Sequence, residues 1–197
     1  MQQAVFIDRD GVITRDPPHF AHRPDQMQFN NGSIEAIKRL NKNNFKVVVV
    51  SNQSGIAYGY FIEQEADRFH RLMTEELALY NAKIDAIYYC PHHPNAKVKR
   101  YRLNCDCRKP HTGMFEKAAK ELNIDLKNSF MVGDRKTDID AGNASGCKTI
   151  LVLTGHGLEE FRNNTINYNH VASNLLRAVD YILHFSKTIN IITNRKT

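Results

Sequence analysis

Two aspartates near the N-terminus have the spacing to do chemistry together. Asp8 and Asp10 follow the apolar run Val5-Phe6-Ile7, and Gly11 comes directly after them. On a β-strand, residues two positions apart share a face and lie roughly 6.5 Å apart along the chain. One carboxylate could attack a substrate while the other transfers a proton, with a cation between the two charges. The alternative is a polar strand end followed by a turn.

Further polar residues stand just past later apolar runs. Ser51 follows the run 45–50, and Asp134 comes just past the run 130–132. Because open α/β sheets place ligands at the carboxyl ends of their strands, we expect these residues to converge with Asp8. The crowded carboxylates of Asp8, Asp10 and Asp134 would raise one another's pKa. A hard divalent cation with oxygen ligands relieves this, which predicts Mg²⁺.

A phosphate group is the substrate that best suits such an edge. The Ser51 hydroxyl and the turn amides after it resemble a phosphate cradle at a helix N-terminus. Lys109 would add a positive charge beside the phosphoryl oxygens. Asp138, one helical turn past Asp134, either holds a metal-bound water or caps the helix that it begins, and we favour a supporting role. Phosphate-ester hydrolysis needs such groups to act together, because no single side chain supplies the acceleration.

A second constellation has the residue types of a zinc site. Cys90 and His92 form one pair of ligands, and Cys105 and Cys107 form the other. This spacing predicts a tetrahedral Zn²⁺, and four protein ligands make it structural rather than catalytic. His92 fits better than His93, because Cys90 and His92 can face the same way. The alternative is free buried cysteines with surface histidines.

The loop between these ligands, about residues 90–109, has too few apolar residues for a core of its own. Zinc would order it, and would thereby hold Arg108, a candidate substrate-binding residue, and Lys109 in place. Cys147 lies outside the cluster and is expected to be a small core residue.

Alternating strands and helices predict an α/β fold with a doubly wound, mostly parallel, Rossmann-like sheet. The pattern places strands at 5–8, 45–50, 84–89, 130–132 and 148–153. It places helices at 33–43, 62–80, 112–122, 138–145 and 171–185. The proline-containing segment 14–31 should be a loop or small flap, and a frayed tail is expected over 188–197, most clearly from 190.

Length and composition favour one domain over residues 1–197, and we expect a monomer. The absence of an apolar run near the ~18 residues of a membrane span, and of a signal peptide, predicts a cytoplasmic protein without membrane association. The net charge of +6 allows a phosphorylated metabolite or a nucleic acid as partner. The basic stretch 97–102 suggests a zinc-stabilised nucleic-acid-binding module as an alternative, but an acidic edge would repel that partner's phosphates, so we predict no nucleic acid.

The motifs Asp8-Arg9-Asp10-Gly11, Ser51-Asn52, Lys109 and 133–138 resemble, in order, the four motifs of the haloacid dehalogenase (HAD) superfamily of phosphohydrolases. The resemblance implies that Asp8 is the nucleophile and forms an aspartyl-phosphate, and that Asp10 is the general acid and base. Ser51 and Lys109 would stabilise the phosphoryl group, with Asn52 contacting the substrate. It further implies that Mg²⁺ is held by Asp8, the Asp10 carbonyl, Asp134 and the Arg135 carbonyl.

From residues 4 to 153, including the zinc loop, the chain resembles the zinc-containing, nearly capless heptose bisphosphate phosphatases. This implies a phosphatase that hydrolyses the C7 phosphate of D-glycero-D-manno-heptose 1,7-bisphosphate, in the pathway to nucleotide-activated heptose. Histidinol-phosphate phosphatase domains share the zinc loop and are the alternative. The chain departs from the heptose enzymes at Tyr58, where Arg is usual, at Ser51, where Thr is usual, and at Pro17-Pro18. These departures leave the preferred sugar and anomer open.

Overall fold

Six parallel strands form the sheet of the computed structural model, which describes residues 1–17, 20–163 and 165–194. The strands are β1 Ala4–Ile7, β2 Lys46–Asn52, β3 Ala86–Cys90, β4 Phe130–Gly133, β5 Lys148–Val152 and β6 His170–Ala172. Their order across the sheet is β3-β2-β1-β4-β5-β6, and every neighbouring pair is parallel. From β1 the strands are added first toward β3 on one side and then toward β6 on the other, so the prediction of a doubly wound sheet is confirmed.

The described chain contains seven helices. They are α1 Ser33–Lys42, α2 Ser54–Tyr58, α3 Glu63–Leu79, α4 Gly113–Leu122, α5 Lys136–Ala144, α6 Gly157–Asn163 and α7 Leu175–Asn194. Short 3₁₀ turns occur at Pro24–Gln26, Lys99–Tyr101 and Leu126–Asn128. None of the helices in the described ranges is long and apolar enough to cross a bilayer.

Alternate residues of the central strands enter two separate cores, which is why β1 and β2 are apolar on both faces. Val47 and Val49 pack in the cluster that includes residues of α1, α3 and α7. Val48 and Val50 pack in the cluster on the opposite face, with α4 and part of α5. A third, smaller cluster lies among α2, α3 and the loop 90–109. The loop therefore has apolar support from Ala96 and Tyr101 in addition to its candidate zinc ligands.

The structure corrects the C-terminal assignment. A helix was predicted over 171–185, but Val171 pairs with Leu151 as part of β6, and α7 begins only at Leu175. The apolar pattern across 171–185 hid this boundary, since a short edge strand and a buried helix start look alike. The helix continues to Asn194, while residues 195–197 lie outside the described ranges, so fraying of the tail stays a prediction.

Smaller differences concern boundaries and short helices. The helices α2 and α6 were not predicted, and α5 begins at Lys136 rather than Asp138. Ser51 and Asn52 form the end of β2, where the pattern ended the strand at Val50. Of the predicted first loop, 14–31, residues 18 and 19 lie outside the description.

The packing of α4 on the sheet yields a test of the fold. Phe115 is fully buried, and its ring centroid lies 4.7 Å from that of Phe6 in β1. We expect Phe115→Ala to lower the free energy of unfolding by about 3–5 kcal/mol, since it loses apolar burial and leaves a cavity. Urea denaturation followed by circular dichroism measures this change. Leu79→Ala, at a position 76% exposed, is the control and should shift stability by no more than about 0.5 kcal/mol. Equal effects of the two variants would contradict the packing.

Candidate active site

The carboxyl ends of β1, β2 and β4 bring the predicted phosphatase residues together. Asp8 directly follows β1, and its backbone N–H donates to the Val132 carbonyl at 3.0 Å, which continues the strand register. A cavity of about 390 Å³ opens at this edge. Its lining includes eight residues of the predicted site or its support: Asp8, Asp10, Ser51, Asn52, Arg108, Lys109, Arg135 and Asp138.

The ammonium group of Lys109 is buried in the middle of this edge. It donates to Asp8 Oδ1 at 2.8 Å and to the Val50 carbonyl at 2.7 Å, and it lies 2.6 Å from Asp138 Oδ1. Burial acts to lower the pKa of Lys109, but the carboxylates of Asp138 and Asp8 outweigh it and raise that pKa above its ordinary value. The lysine is therefore a fixed positive charge.

Asn52 fixes the backbone of Lys109. Its side-chain nitrogen donates to the Lys109 carbonyl and its side-chain oxygen accepts from the Lys109 N–H, both at 3.0 Å. The sequence predicted a substrate contact for Asn52. The structure shows its amide engaged with Lys109, so its observed contacts are those of a positioning residue at the cavity wall.

Three carboxylates converge, but they are not the three that the sequence predicted. Asp8, Asp134 and Asp138 each place an oxygen within 4.8 Å of the others, whereas the Asp10 side chain is not part of this group. Burial raises the pKa of Asp8 to about 7, although Lys109 lowers it in part. The pKa of Asp134 is raised well above its ordinary value, by burial and then by the charges of Asp138 and Asp8. A divalent cation would relieve both effects.

The surroundings of Asp134 fit a metal ion. Its Oδ2 accepts the backbone N–H of His156 at 2.8 Å, while its buried Oδ1 has no hydrogen-bond partner among the described residues. Gly11 and Gly155 have positive φ and stand so close that a Cβ on either would collide with the carboxylate. The free oxygen beside further carboxylates is the donor set that Mg²⁺ prefers.

The resemblance implied that the Arg135 carbonyl is a Mg²⁺ ligand, and this role stays a prediction. The carbonyl accepts backbone N–H groups from Asp138 and Ile139 in the first turn of α5. The Asp138 carboxylate forms an ion pair with Lys109 through Oδ1. Its Oδ2 accepts the Arg135 N–H at 3.0 Å as part of a helix cap. Asp138 thus joins Asp8 and Asp134 at this edge, in contact with both Lys109 and the start of α5.

The Asp10 carboxylate is held by residues that sequence analysis did not single out. Arg9 donates from Nε to Oδ1 at 2.9 Å and from Nη2 to Oδ2 at 2.8 Å. Gln53 donates from Nε2 to Asp10 Oδ2 and to Ser51 Oγ, both at 2.9 Å. The arginine between the two aspartates was the available sequence signal, but its partners come from distant segments.

The four predicted zinc ligands lie together. The three sulfurs of Cys90, Cys105 and Cys107 are 3.1–3.5 Å apart, and His92 Nδ1 is 3.4 Å from Cys107 Sγ. The hydrogen bond between the sulfurs of Cys107 and Cys90 is the main cause that lowers the pKa of Cys107 to about 5. A thiolate among thiols and an imidazole suits Zn²⁺. His93 is not in the group; it bonds the Tyr58 hydroxyl at 3.1 Å.

Arg108 connects this cluster to the cavity. Its Nη1 donates to the His92 carbonyl at 3.0 Å and to Ser54 Oγ at 2.8 Å, at the start of α2. Arg108 and Lys109 are adjacent at the end of the loop, and both line the cavity. Cys147, buried in the core beside α5, lies outside the cluster as expected.

Comparison with known proteins agrees with this geometry. A family model described as HAD-hydrolase-like matches residues 106–178. The D-glycero-beta-D-manno-heptose-1,7-bisphosphate 7-phosphatase of Pasteurella multocida is 46% identical, over 85% of this chain and 91% of its own length. The protein of that name from Escherichia coli K12 is 42% identical, over 84% of this chain and 86% of its own.

Solved structures show the same relationship. The D,D-heptose 1,7-bisphosphate phosphatase from B. bronchiseptica, complexed with magnesium and phosphate, superposes with a TM-score of 0.84 at 33% identity. The match covers 93% of this chain and 99% of that one. The chain therefore belongs to the heptose bisphosphate phosphatase family of HAD-like hydrolases.

Proposed function

We propose that the protein is a Mg²⁺-dependent phosphatase that removes the C7 phosphate of D-glycero-D-manno-heptose 1,7-bisphosphate. The observation that carries this proposal is the buried Lys109 between Asp8 and Asp138, beside an Asp134 oxygen that has no hydrogen-bond partner in the described part of the chain. This arrangement is suited to a phosphoryl group and a cation. The names of the 42–46% identical relatives supply the sugar and favour the β anomer.

Asp8 and Asp134 would hold the magnesium ion together with the carbonyls of Asp10 and Arg135, and Asp138 lies beside them. Bound Mg²⁺ supplies positive charge that orients the phosphate and offsets its negative charge. The structural neighbour complexed with magnesium and phosphate supports this assignment. Ser51 and Lys109 bind the phosphoryl oxygens in the proposal, and Arg108 contacts the substrate at the cavity wall.

The reaction proceeds in two displacement steps. A carboxylate oxygen of Asp8 forms a bond to phosphorus, the bond to the sugar oxygen breaks, and Asp10 gives its proton to that oxygen. Water then attacks the phosphorus of the aspartyl-phosphate while Asp10 takes a proton from it, and the bond to Asp8 breaks to release phosphate. Lys109 can assist both steps because its charge is fixed and already in contact with Asp8.

Zinc has a structural role in the proposal. The ligands Cys90, His92, Cys105 and Cys107 would occupy all four tetrahedral positions, which leaves none for a substrate. Because Arg108 bonds the His92 carbonyl, an ordered loop also orders the cavity wall. Thiols kept reduced for a metal suit a cytoplasmic location.

That the protein acts as a single domain and as a monomer, and that it binds no nucleic acid, stay predictions. The histidinol-phosphate alternative is not favoured, since the curated relatives carry the heptose name.

Replacement of the nucleophile tests the mechanism. We expect Asp8→Asn to lower kcat by at least about 10⁴-fold, because the amide cannot form the covalent intermediate. Phosphate release from the β-bisphosphate at saturating Mg²⁺ measures this loss. Asp140→Asn, at a partly exposed position of α5 where the carboxylate pairs with Lys136, is the control and should keep near-normal turnover. Turnover by Asp8→Asn within tenfold of the unaltered enzyme would rule out the aspartyl-phosphate route.

Removal of one thiol tests the zinc site. The purified protein should keep about one zinc ion per chain after dialysis, whereas Cys105→Ser should lose most of it. We expect a large drop in Tm with the metal, because the loop 90–109 depends on it. Metal analysis and thermal denaturation provide the measurements. Cys147→Ala, outside the cluster, is the control and should retain zinc; equal zinc content in Cys105→Ser would show that the ligand set is wrong.

A substrate panel tests the sugar. The kcat/KM for the β-heptose bisphosphate should exceed that for histidinol phosphate by at least about 100-fold, because the two leaving groups share no hydroxyl pattern. The α anomer should be a poorer substrate than the β anomer. Phosphate release under identical Mg²⁺ concentrations gives the comparison. Preference for histidinol phosphate would overturn the proposed substrate while leaving the proposed chemistry intact.

A further inference from the structure

Arg9 is the largest side chain in the described core, and it is completely buried. Its guanidinium donates two parallel hydrogen bonds to Asp10, and each of its three nitrogens has a hydrogen-bond partner. Nη2 also donates to the Ala21 carbonyl at 2.7 Å and to Gln53 Oε1 at 3.1 Å. A buried guanidinium is costly unless it is paired and hydrogen-bonded, so this degree of satisfaction requires explanation.

His70 supplies the contact on the far side of the guanidinium. It lies on α3, and its Nε2 is 2.9 Å from Arg9 Nη1. Burial, and then the charge of Arg9, lower the pKa of His70 to about 3. The imidazole is therefore neutral, and Nε2 accepts the hydrogen bond from Arg9. The ring of Phe69, the neighbouring residue of α3, lies 4.6 Å from the Arg9 guanidinium carbon and packs against its face.

These contacts leave the guanidinium one orientation. His70 fixes the edge at Nη1, and the Phe69 ring fixes the plane of the guanidinium. The opposite edge, with Nε and Nη2, then faces Asp10. A bidentate arginine sets both the position and the plane of a carboxylate. Asp10 is partly exposed at the cavity, with 18% of its side chain accessible, so the fork orients a carboxylate that can reach a substrate.

We propose that His70 and Arg9 are positioning residues for Asp10. Helix α3 thereby determines, through the guanidinium, the direction from which the Asp10 carboxylate transfers a proton. The inference rests on the proposed function, in which Asp10 is the general acid and base. His70 touches neither substrate nor metal in this arrangement, so its effect on turnover passes through Asp10.

The test removes the hydrogen-bond acceptor and then restores it. His70→Leu should lower kcat on the β-heptose bisphosphate by about 10–100-fold, part of the 10²–10⁴-fold that general acid–base catalysis contributes. KM should stay within about threefold, since the phosphate contacts are intact. His70→Gln should recover most of kcat, because its amide oxygen can accept from Arg9. His170→Leu, which removes a stacked histidine at β6, is the control for a general loss of packing and should leave kcat unchanged.

A double-mutant cycle separates positioning from a merely structural role. In an Asp10→Asn background, His70→Leu should cause no further loss of kcat, because residues that act as a unit are non-additive. If His70→Leu fails to fold, Arg9→Lys takes its place in the cycle, because lysine keeps the positive charge but cannot make the bidentate hydrogen bond to Asp10.

The outcomes distinguish the two proposals. Turnover by folded His70→Leu within twofold of the unaltered enzyme, or an equal loss in the Asp10→Asn background, would overturn the positioning role. The same results with Arg9→Lys in its place would also overturn it. Normal turnover by Asp10→Asn alone would instead refute the acid–base assignment on which the inference rests.

Discussion

The ammonium group of Lys109 holds the candidate site together, because it lies between carboxylates that come from distant parts of the chain. Asp8 follows the first strand, Asp138 lies in α5, and both would repel Asp134 if no positive charge stood between them. An unpaired lysine could not remain charged at this depth. The carboxylates need the lysine, and the lysine needs the carboxylates. One lysine does not balance three carboxylates, so the edge retains the capacity for a divalent cation.

The position of Lys109 depends in turn on the segment that delivers it. It enters the sheet edge from the loop 90–109, and its backbone is locked by the amide of Asn52 at the end of β2. The Cys/His cluster lies at the start and near the end of that loop, and Arg108 ties it to the cavity wall. A metal that orders the loop therefore acts on the site through the backbone rather than through chemistry of its own.

Asp10 belongs to a different set of contacts. Its carboxylate does not join the other three; it faces Arg9 and Gln53, and Gln53 also bonds the Ser51 hydroxyl. The edge thus has two halves, one acidic and suited to a cation, the other a network of neutral and paired groups. This separation allows a proton-transferring carboxylate to stand near a metal site without serving as its side-chain ligand.

The sequence by itself determined the fold class, the family, and the residues that converge at the sheet edge. Those signals are local: strands that are apolar on both faces, carboxylates just past strand ends, and cysteine and histidine at ligand spacing. It misplaced the start of α7, because Val171 is apolar enough for either a strand or a helix. The substrate contact of Asn52 and the ligand role of the Arg135 carbonyl stay predictions; the structure adds that the Asn52 amide bonds Lys109 and that the Arg135 carbonyl accepts N–H groups of α5.

Only the tertiary structure decided which partners each of these residues has. Asp138 rather than Asp10 completes the acidic group, and His70 reaches Arg9 across 61 residues of sequence. Lys109 likewise meets Asp8 across 101 residues. Such contacts depend on how the helices pack over the sheet and on which polar groups this packing buries beside each charge. Sequence periodicity carries information about the face on which a residue lies, whereas the partner on that face is fixed by packing between distant segments.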